Sequence, residues 1–206
     1  MNQFEYPSKI LEQAVLEIGK LPSIGKKTAL RLALHILKQD VEYAQKLGEA
    51  IIQLRQNITF CKICNTISDT ELCQICANPK RDTSVICVVE SVKDVLVLEQ
   101  TQQFKGVYHV LGGVISPIDG VSPNDLNITS LIERIGNNSV KEIIFALPVT
   151  IEGDTTCFYI YKKIQHYSIT VTMLARGVAV GNELEYTDEA TLARSLRERI
   201  MYTGTK

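Results

Sequence analysis

S-V-I-C-V-V-E at residues 84–90 is a short apolar run, rich in β-branched residues and closed by an acid, and its reading decides the fold. Apolar residues at successive positions, not alternate ones, fit a strand buried on both faces, as in a parallel sheet covered by helices. The chain beyond it keeps the rhythm. A capped helix is expected from Ser91, V-Y-H-V-L-G-G (107–113) is strand-like, a helix begins near Asn127, and E-I-I-F-A-L (142–147) is strand-like again. A helical stretch from about Thr155 to His166 follows, then the strand-like S-I-T-V-T-M-L-A (168–175), then a helix capped by Thr187 or Asp188 that ends near Ile200. Strands alternating with helices predict βαβ units on a largely parallel sheet with right-handed crossovers.

Upstream, the pattern is helical. Ser8 is placed to cap a helix running to about Lys20, with Ile10, Leu11, Ala14, Val15 and Ile18 at helical spacing. L-P-S-I-G (21–25) interrupts it, K-K-T-A-L-R-L-A-L-H-I-L-K (26–38) resumes, and Asp40 caps a third helix reaching Gln56. A Gly-containing turn between two helices has the form of a helix-hairpin-helix, in which the N–H groups opening the second helix face a phosphate. An ordinary helical hairpin held by Pro22 and Gly25 accounts for the same residues. Lys26 and Lys27 sit where the helix dipole disfavours cations, which leans towards an anionic partner. Residues 18–39 hold Lys20, Lys26, Lys27, Arg31 and Lys38 and no acid, a strip that fits either phosphates or a solvated face.

Between these regions stands C-K-I-C (Cys61, Cys64) and, eight residues on, C-Q-I-C (Cys73, Cys76). Two such pairs can close a tetrahedral thiolate shell around one Zn²⁺, and with all four positions filled by protein the metal would be structural. The polar 16-residue segment has too little apolar content to order itself without metal. Redox dithiols or disulfides are the competing readings. Cys87 and Cys157, in apolar surroundings, read as core.

Glu90 ends the first strand of the alternating region, and Glu152 and Asp154 follow a later one in T-I-E-G-D-T-T. Carboxylates at the carboxyl ends of parallel strands face the crevice where such sheets take ligands. They could hold Mg²⁺ for phosphoryl chemistry, or Glu152 and Asp154 could simply favour a helix start. His35, His109 and His166 are scattered, and neither a P-loop nor a G-x-S-x-G pattern is present.

Of 206 residues, 45% are hydrophobic and 22% charged, which suits a packed core and excludes disorder or coiled coil as the main architecture. The longest apolar stretch, 143–149, is far short of the ~20 residues of a membrane helix, and the start M-N-Q-F-E-Y-P carries no export signal. A cytoplasmic protein is expected. The formal net charge of -1 makes no case for nucleic acid, but its distribution is uneven. Residues 1–81 carry 11 basic and 8 acidic side chains, whereas residues 82–206 carry 11 and 15.

Taken together, L-P-S-I-G-K-K-T-A-L-R-L-A (21–33), the C-x2-C-x8-C-x2-C segment, N-P-K-R-D-T-S-V-I-C-V-V-E (78–90), Y-H-V-L-G-G-V-I-S-P-I-D-G-V (108–121) and E-Y-T-D-E-A-T-L-A-R-S-L (185–196) resemble the RecR family of bacterial recombination mediators. The resemblance implies four modules: a helix-hairpin-helix for DNA binding and oligomerisation at 1–57, a C4 zinc finger at 58–80, a Toprim domain at 83–181, and a C-terminal helical tail at 182–206 for oligomerisation.

It also implies a non-enzymatic function. Proteins of this kind form dimers or ring-like tetramers that encircle single-stranded, gapped or duplex DNA with little sequence preference. They act with RecO and RecF to load RecA, near the nucleoid. Lys20, Lys26, Lys27 and Arg31 would line the DNA path, and Glu90, Glu152 and Asp154 would occupy the Toprim acidic positions as a docking face for RecO. Two departures stand out. Toprim nucleases carry Asp-x-Asp where this chain has Glu152-Gly153-Asp154, which fits binding better than cleavage, although a Mg²⁺-dependent nuclease and a protein adaptor that does not touch DNA are the alternatives. Ser23 replaces the first glycine of P-G-I-G, so a Cβ stands where the loop would approach a phosphate. Arg176 and G-V-A-V-G (177–181) resemble the family's C-terminal segment.

Overall fold

The computed structural model describes residues 6–137, 139–181, 183–201 and 204. The first five residues of the M-N-Q-F-E-Y-P start lie outside them, as do Asn182 and, in the C-terminal tail, Tyr202, Thr203, Thr205 and Lys206. The chain divides into two compact units, one up to Ile58 and one from Thr59 onward.

The first unit is helical. Helix α1 (Lys9–Ile18) is capped by Ser8, whose hydroxyl accepts from the Leu11 amide, and α3 (Val41–Asn57) by Asp40, which accepts from the Tyr43 amide at 2.7 Å. Between them α2 (Lys26–Leu37) starts at Gly25 with no side-chain cap. Small residues let α1 and α2 approach: Val15 packs on Ala29 and Ala33, sealed by Leu11, Ile18 and Ile24. Helix α3 has no buried residue.

In the second unit, a two-strand antiparallel ribbon, β1 (Thr59–Phe60) with β2 (Ile67–Ser68), carries the first cysteine pair in its loop. The S-V-I-C-V-V-E run lies in β3 (Asp82–Val89), whose last four residues are all buried. β4 (Gly106–Val110), β5 (Glu142–Ala146) and β6 (Thr170–Met173) join it in the order β4-β3-β5-β6, and each pairing is parallel. Helices α4 (Val92–Gln100), α5 (Ile128–Asn137) and α6 (Ile151–Ile164) make the crossovers. One face of the sheet packs Ile86, Val88, Val107, Ile143 and Phe145 against Leu131, Ile160 and Ile164, and the other packs Cys87, Val89, Tyr108 and Val110 against Val95. Cys87 and Cys157 are buried core residues, as their surroundings in the sequence suggest. Helix α7 (Glu189–Arg197) is capped by Asp188, the second of the two expected candidates.

One boundary differs from the sequence expectation. Helix α6 begins at Ile151, not near Thr155, because Thr150 caps it by accepting from the Gly153 amide at 3.1 Å. Gly153 is the reason the helix can start there: a Cβ on it would collide with the Pro148 carbonyl oxygen. Glu152 and Asp154 therefore belong to the first helical turn, where their charge favours the dipole.

Candidate metal centre and nucleic-acid interface

The four cysteines meet. One ligand atom from each of Cys61, Cys64, Cys73 and Cys76 lies within 4.8 Å of the others, and no second group of three or more His, Cys, Asp or Glu does so among the described residues. Cys64 and Cys73 Sγ are 3.6 Å apart, far beyond a disulfide bond but close to the ~3.8 Å edge of a tetrahedron with Zn–S near 2.3 Å. The backbone shapes each pair as a tight turn. The Asn65 amide donates to the Cys61 carbonyl, with Asn65 in the left-handed region at φ 59°, and the Ala77 amide donates to the Cys73 carbonyl. Amides also point at sulfur, as Cys76 N does to Cys73 Sγ at 3.4 Å. Burial pushes the Cys61 thiol up, but the amides of Cys73, Cys64 and Ile63 outweigh it and bring it down to about 7. Burial raises Cys73 to about 11, so four clustered thiols are a poor state without a cation. The donor set fits one structural zinc.

The knuckle is built onto the sheet. Val110 N, at the end of β4, donates to the Cys64 carbonyl at 2.8 Å, and Ile75 reaches both core clusters. Arg134 of α5 donates to the Tyr108 carbonyl at 2.7 Å. Burial works against its charge while all four cysteines favour it, so a cation stands beside the net negative charge that four thiolates leave on Zn²⁺. Sequence reading missed Arg134, which looks like any polar residue of an amphipathic helix.

Glu90, Glu152 and Asp154 do not converge. Connections leave β3 in one direction and reach β5 on its other side, so Glu90 at the end of β3 and Glu152 and Asp154 after β5 mark the switch point of the sheet. Glu152 and Asp154 are two apart on a helix and face different ways. Asp154 is paired instead with Arg176 Nη2 at 2.7 Å, and this neighbour holds its carboxyl below the usual range. The pairing joins residues 22 apart in sequence and was not read from it. With Arg176 paired to Asp154, this arrangement does not fit a Mg²⁺ site, which needs several oxygens on one centre.

On the helical unit, Lys27 and Arg31 line one groove of α2 of about 440 Å³ together with Leu30, Leu34, His35 and Lys38. Lys27, Arg31, His35 and Lys38 recur at one-turn intervals, and His35 and Lys38 extend the basic face beyond the residues singled out from sequence. Lys26 is exposed beside the helix start, and Gly25 leaves the space before the first amides open. Lys20 differs from the rest: Glu17 takes its charge at 2.7 Å. Ser23 adopts φ 64°, the left-handed conformation that glycine takes without cost. The loop therefore keeps its turn despite the substitution, with the strain stored at Ser23.

A helical hairpin, a four-cysteine knuckle and a parallel sheet with acids at its switch point define a modular α/β protein with a four-cysteine metal site. Family models match in the same order: RecR helix-hairpin-helix over residues 11–55, the RecR four-cysteine zinc finger domain over 58–78, Toprim domain over 84–175 and RecR C-terminal over 177–200. The chain belongs to the RecR family. It is 56% identical over 205 residues to Recombination protein RecR of Bacteroides thetaiotaomicron and to that of Bacteroides fragilis, in each case covering 100% of both chains. The corresponding protein of Amoebophilus asiaticus is 56% identical over 197 residues, 96% of this chain and 98% of its own. No helix among the described residues is long and apolar enough to cross a membrane.

Proposed function

We propose that this protein is a non-enzymatic, DNA-binding mediator of recombinational repair. The carrying observation is the α2 groove, where Lys27, Arg31, His35 and Lys38 share one face that begins at an uncapped helix N-terminus. Such a face meets a phosphate backbone without reading bases, so binding tolerates any sequence and weakens with salt. Lys26 and Lys27 meet the backbone first, Arg31 follows one turn later, and Lys20 joins by exchanging Glu17 for a phosphate.

The protein works as a homodimer or homotetramer that closes around DNA. Exposed Leu47, Ile51, Ile52 and Leu54 on α3 support self-association, since a helix with no buried residue and this much apolar surface has yet to find its partner. RecO docks on the face that carries Glu90, Glu152 and Asp154, where the excess of acids in residues 82–206 suits a basic partner. With RecO and RecF the assembly loads RecA on single-stranded or gapped DNA, in the cytoplasm at the nucleoid. Zinc holds the knuckle and takes no part in chemistry.

The test is size-exclusion chromatography with light scattering, with and without gapped DNA and RecO, at two salt concentrations. A dimer or tetramer that retains DNA at low salt, and more strongly with RecO, is the expected result. A monomer that ignores DNA under every condition would refute the clamp and leave the adaptor. Cleavage of labelled gapped DNA with Mg²⁺, abolished by Glu90→Gln, would refute the non-enzymatic reading.

A further inference from the structure

The crevice at the carboxyl end of β5, about 320 Å³ in volume, is walled by Phe145, Leu147, Pro148 and Leu174, with Asp94 and Arg176 as its charged lining. In a site built for a divalent cation, the polar groups at this position would all be oxygens. Here the principal polar group is a guanidinium. The Arg176 side chain is only 9% exposed, its Nη2 holds Asp154 at 2.7 Å, and its Nη1 is buried with no hydrogen-bond partner among the described residues. Asp94 already uses one carboxylate oxygen on the amide and hydroxyl of Ser91. A buried N–H without an acceptor is costly. It is tolerated when the charge beside it is needed.

We propose that Arg176 is the resident cation of this Toprim crevice, standing where Asp154 would otherwise help to hold a divalent ion and closing the crevice to Mg²⁺. The chemistry is simple substitution of one positive charge for another. The guanidinium pairs with Asp154, repels a second cation, and offers N–H donors where Mg²⁺ needs acceptors. A surface pair would exchange readily with solvent ions, but burial of the arginine half favours a fixed pair. This proposal is independent of the DNA reading: it concerns what the crevice can bind, and DNA retention by α2 neither supports nor weakens it.

The experiment is titration of the full-length, zinc-loaded protein with Mn²⁺, following loss of the free-ion signal by electron paramagnetic resonance. The unaltered protein is expected to take up no Mn²⁺ at about 1 mM, well into the range where weak carboxylate sites fill. Arg176→Met, which keeps length and apolar packing, should bind one Mn²⁺ at least about tenfold more tightly. Adding Asp154→Asn to it should abolish the gain, and Arg176→Lys should keep the ion out. Uptake by the unaltered protein that disappears in Asp154→Asn would overturn the proposal, as would a folded Arg176→Met that binds no better. If Arg176→Met fails to fold, Arg176→Gln, which removes the charge but keeps a polar end beside Asp154, is titrated in its place, and a folded Arg176→Gln that takes up no more Mn²⁺ than the unaltered protein would overturn the proposal.

Discussion

Val110 N donates to the carbonyl of Cys64 at 2.8 Å, so a sheet strand and a zinc ligand share a hydrogen bond. Val110 is buried at the end of β4, an edge strand of the parallel sheet, and the bond extends that edge into the knuckle. Metal and sheet are thereby coupled. Cys64→Ser is expected to lose zinc and to destabilise the second unit by at least about 3 kcal/mol, since metal binding is folding energy for such a knuckle. Metal content, thermal unfolding and hydrogen exchange at the Val110 amide measure this together. A metal-free variant with unchanged melting and unchanged protection at Val110 would remove the structural role.

The α2 groove gives a charge prediction. Lys27→Glu with Arg31→Glu should weaken binding of single-stranded DNA by about 100-fold at moderate salt and reduce the salt slope by about 1.4, about 0.7 for each phosphate no longer neutralised. Fluorescence anisotropy across a salt series reads both numbers. Lys141→Glu, at an exposed site on the other unit, should change neither. Equal weakening by all three substitutions would mean that net charge, not the groove, governs binding.

Ser23 at φ 64° yields a backbone prediction. Ser23→Gly removes the Cβ strain and should stabilise the helical unit by up to about 1 kcal/mol, partly offset by the greater freedom of glycine when unfolded. Ser23→Val should cost about 1–2 kcal/mol, because a β-branched residue is least at ease there. Denaturant midpoints of the pair, compared with the parent, should fall in the order Gly, Ser, Val.

His109 makes stability depend on acid. It is fully buried in β4, Nε2 donates to the Asn127 carbonyl at 2.8 Å, Nδ1 has no partner among the described residues, and burial brings its pKa down to about 4. The unfolded chain therefore takes up the proton first, and stability falls as the pH drops from about 6.5 towards 4, by about 3 kcal/mol in all. His109→Gln, which can keep a donor near the Asn127 carbonyl, should flatten that slope. Denaturation at several pH values, with zinc content measured in parallel, separates this loss from acid release of the metal.

Gly153→Ala is expected to cost about 3 kcal/mol, comparable with severe overpacking, because the added carbon would run into the Pro148 carbonyl oxygen, a backbone atom that cannot swing aside. The first turn of α6 must then shift, and Asp154 with it. Loss of the Asp154–Arg176 pair should appear as a rise in the Asp154 pKa, followed by carboxyl-labelled nuclear magnetic resonance.

Much of the molecule was legible because its signals are local. Cys61, Cys64, Cys73 and Cys76 announce their partnership by spacing alone, since two residues between thiols are what one tight turn around a tetrahedral ion requires. Residues 84–90 and 142–147 declare buried strands because their apolar residues do not alternate. Helix α6 starts at Ile151, ahead of the expected Thr155, because Gly153 lets the helix pass the Pro148 carbonyl, a close approach that the residues by themselves do not announce.

By itself, then, the sequence determined the helical start, the metal-binding cysteines, the basic face of α2 and the parallel sheet, all of which follow from composition and period over a few residues. Only the tertiary structure decided the electrostatic partners. Asp154 meets Arg176 across 22 residues, Cys64 meets Val110 across 46, and Arg134 comes to the cysteines from another element altogether. Charge and hydrogen-bond pairing depend on distance in space, and spacing along the chain carries no record of it once helices and crossovers intervene.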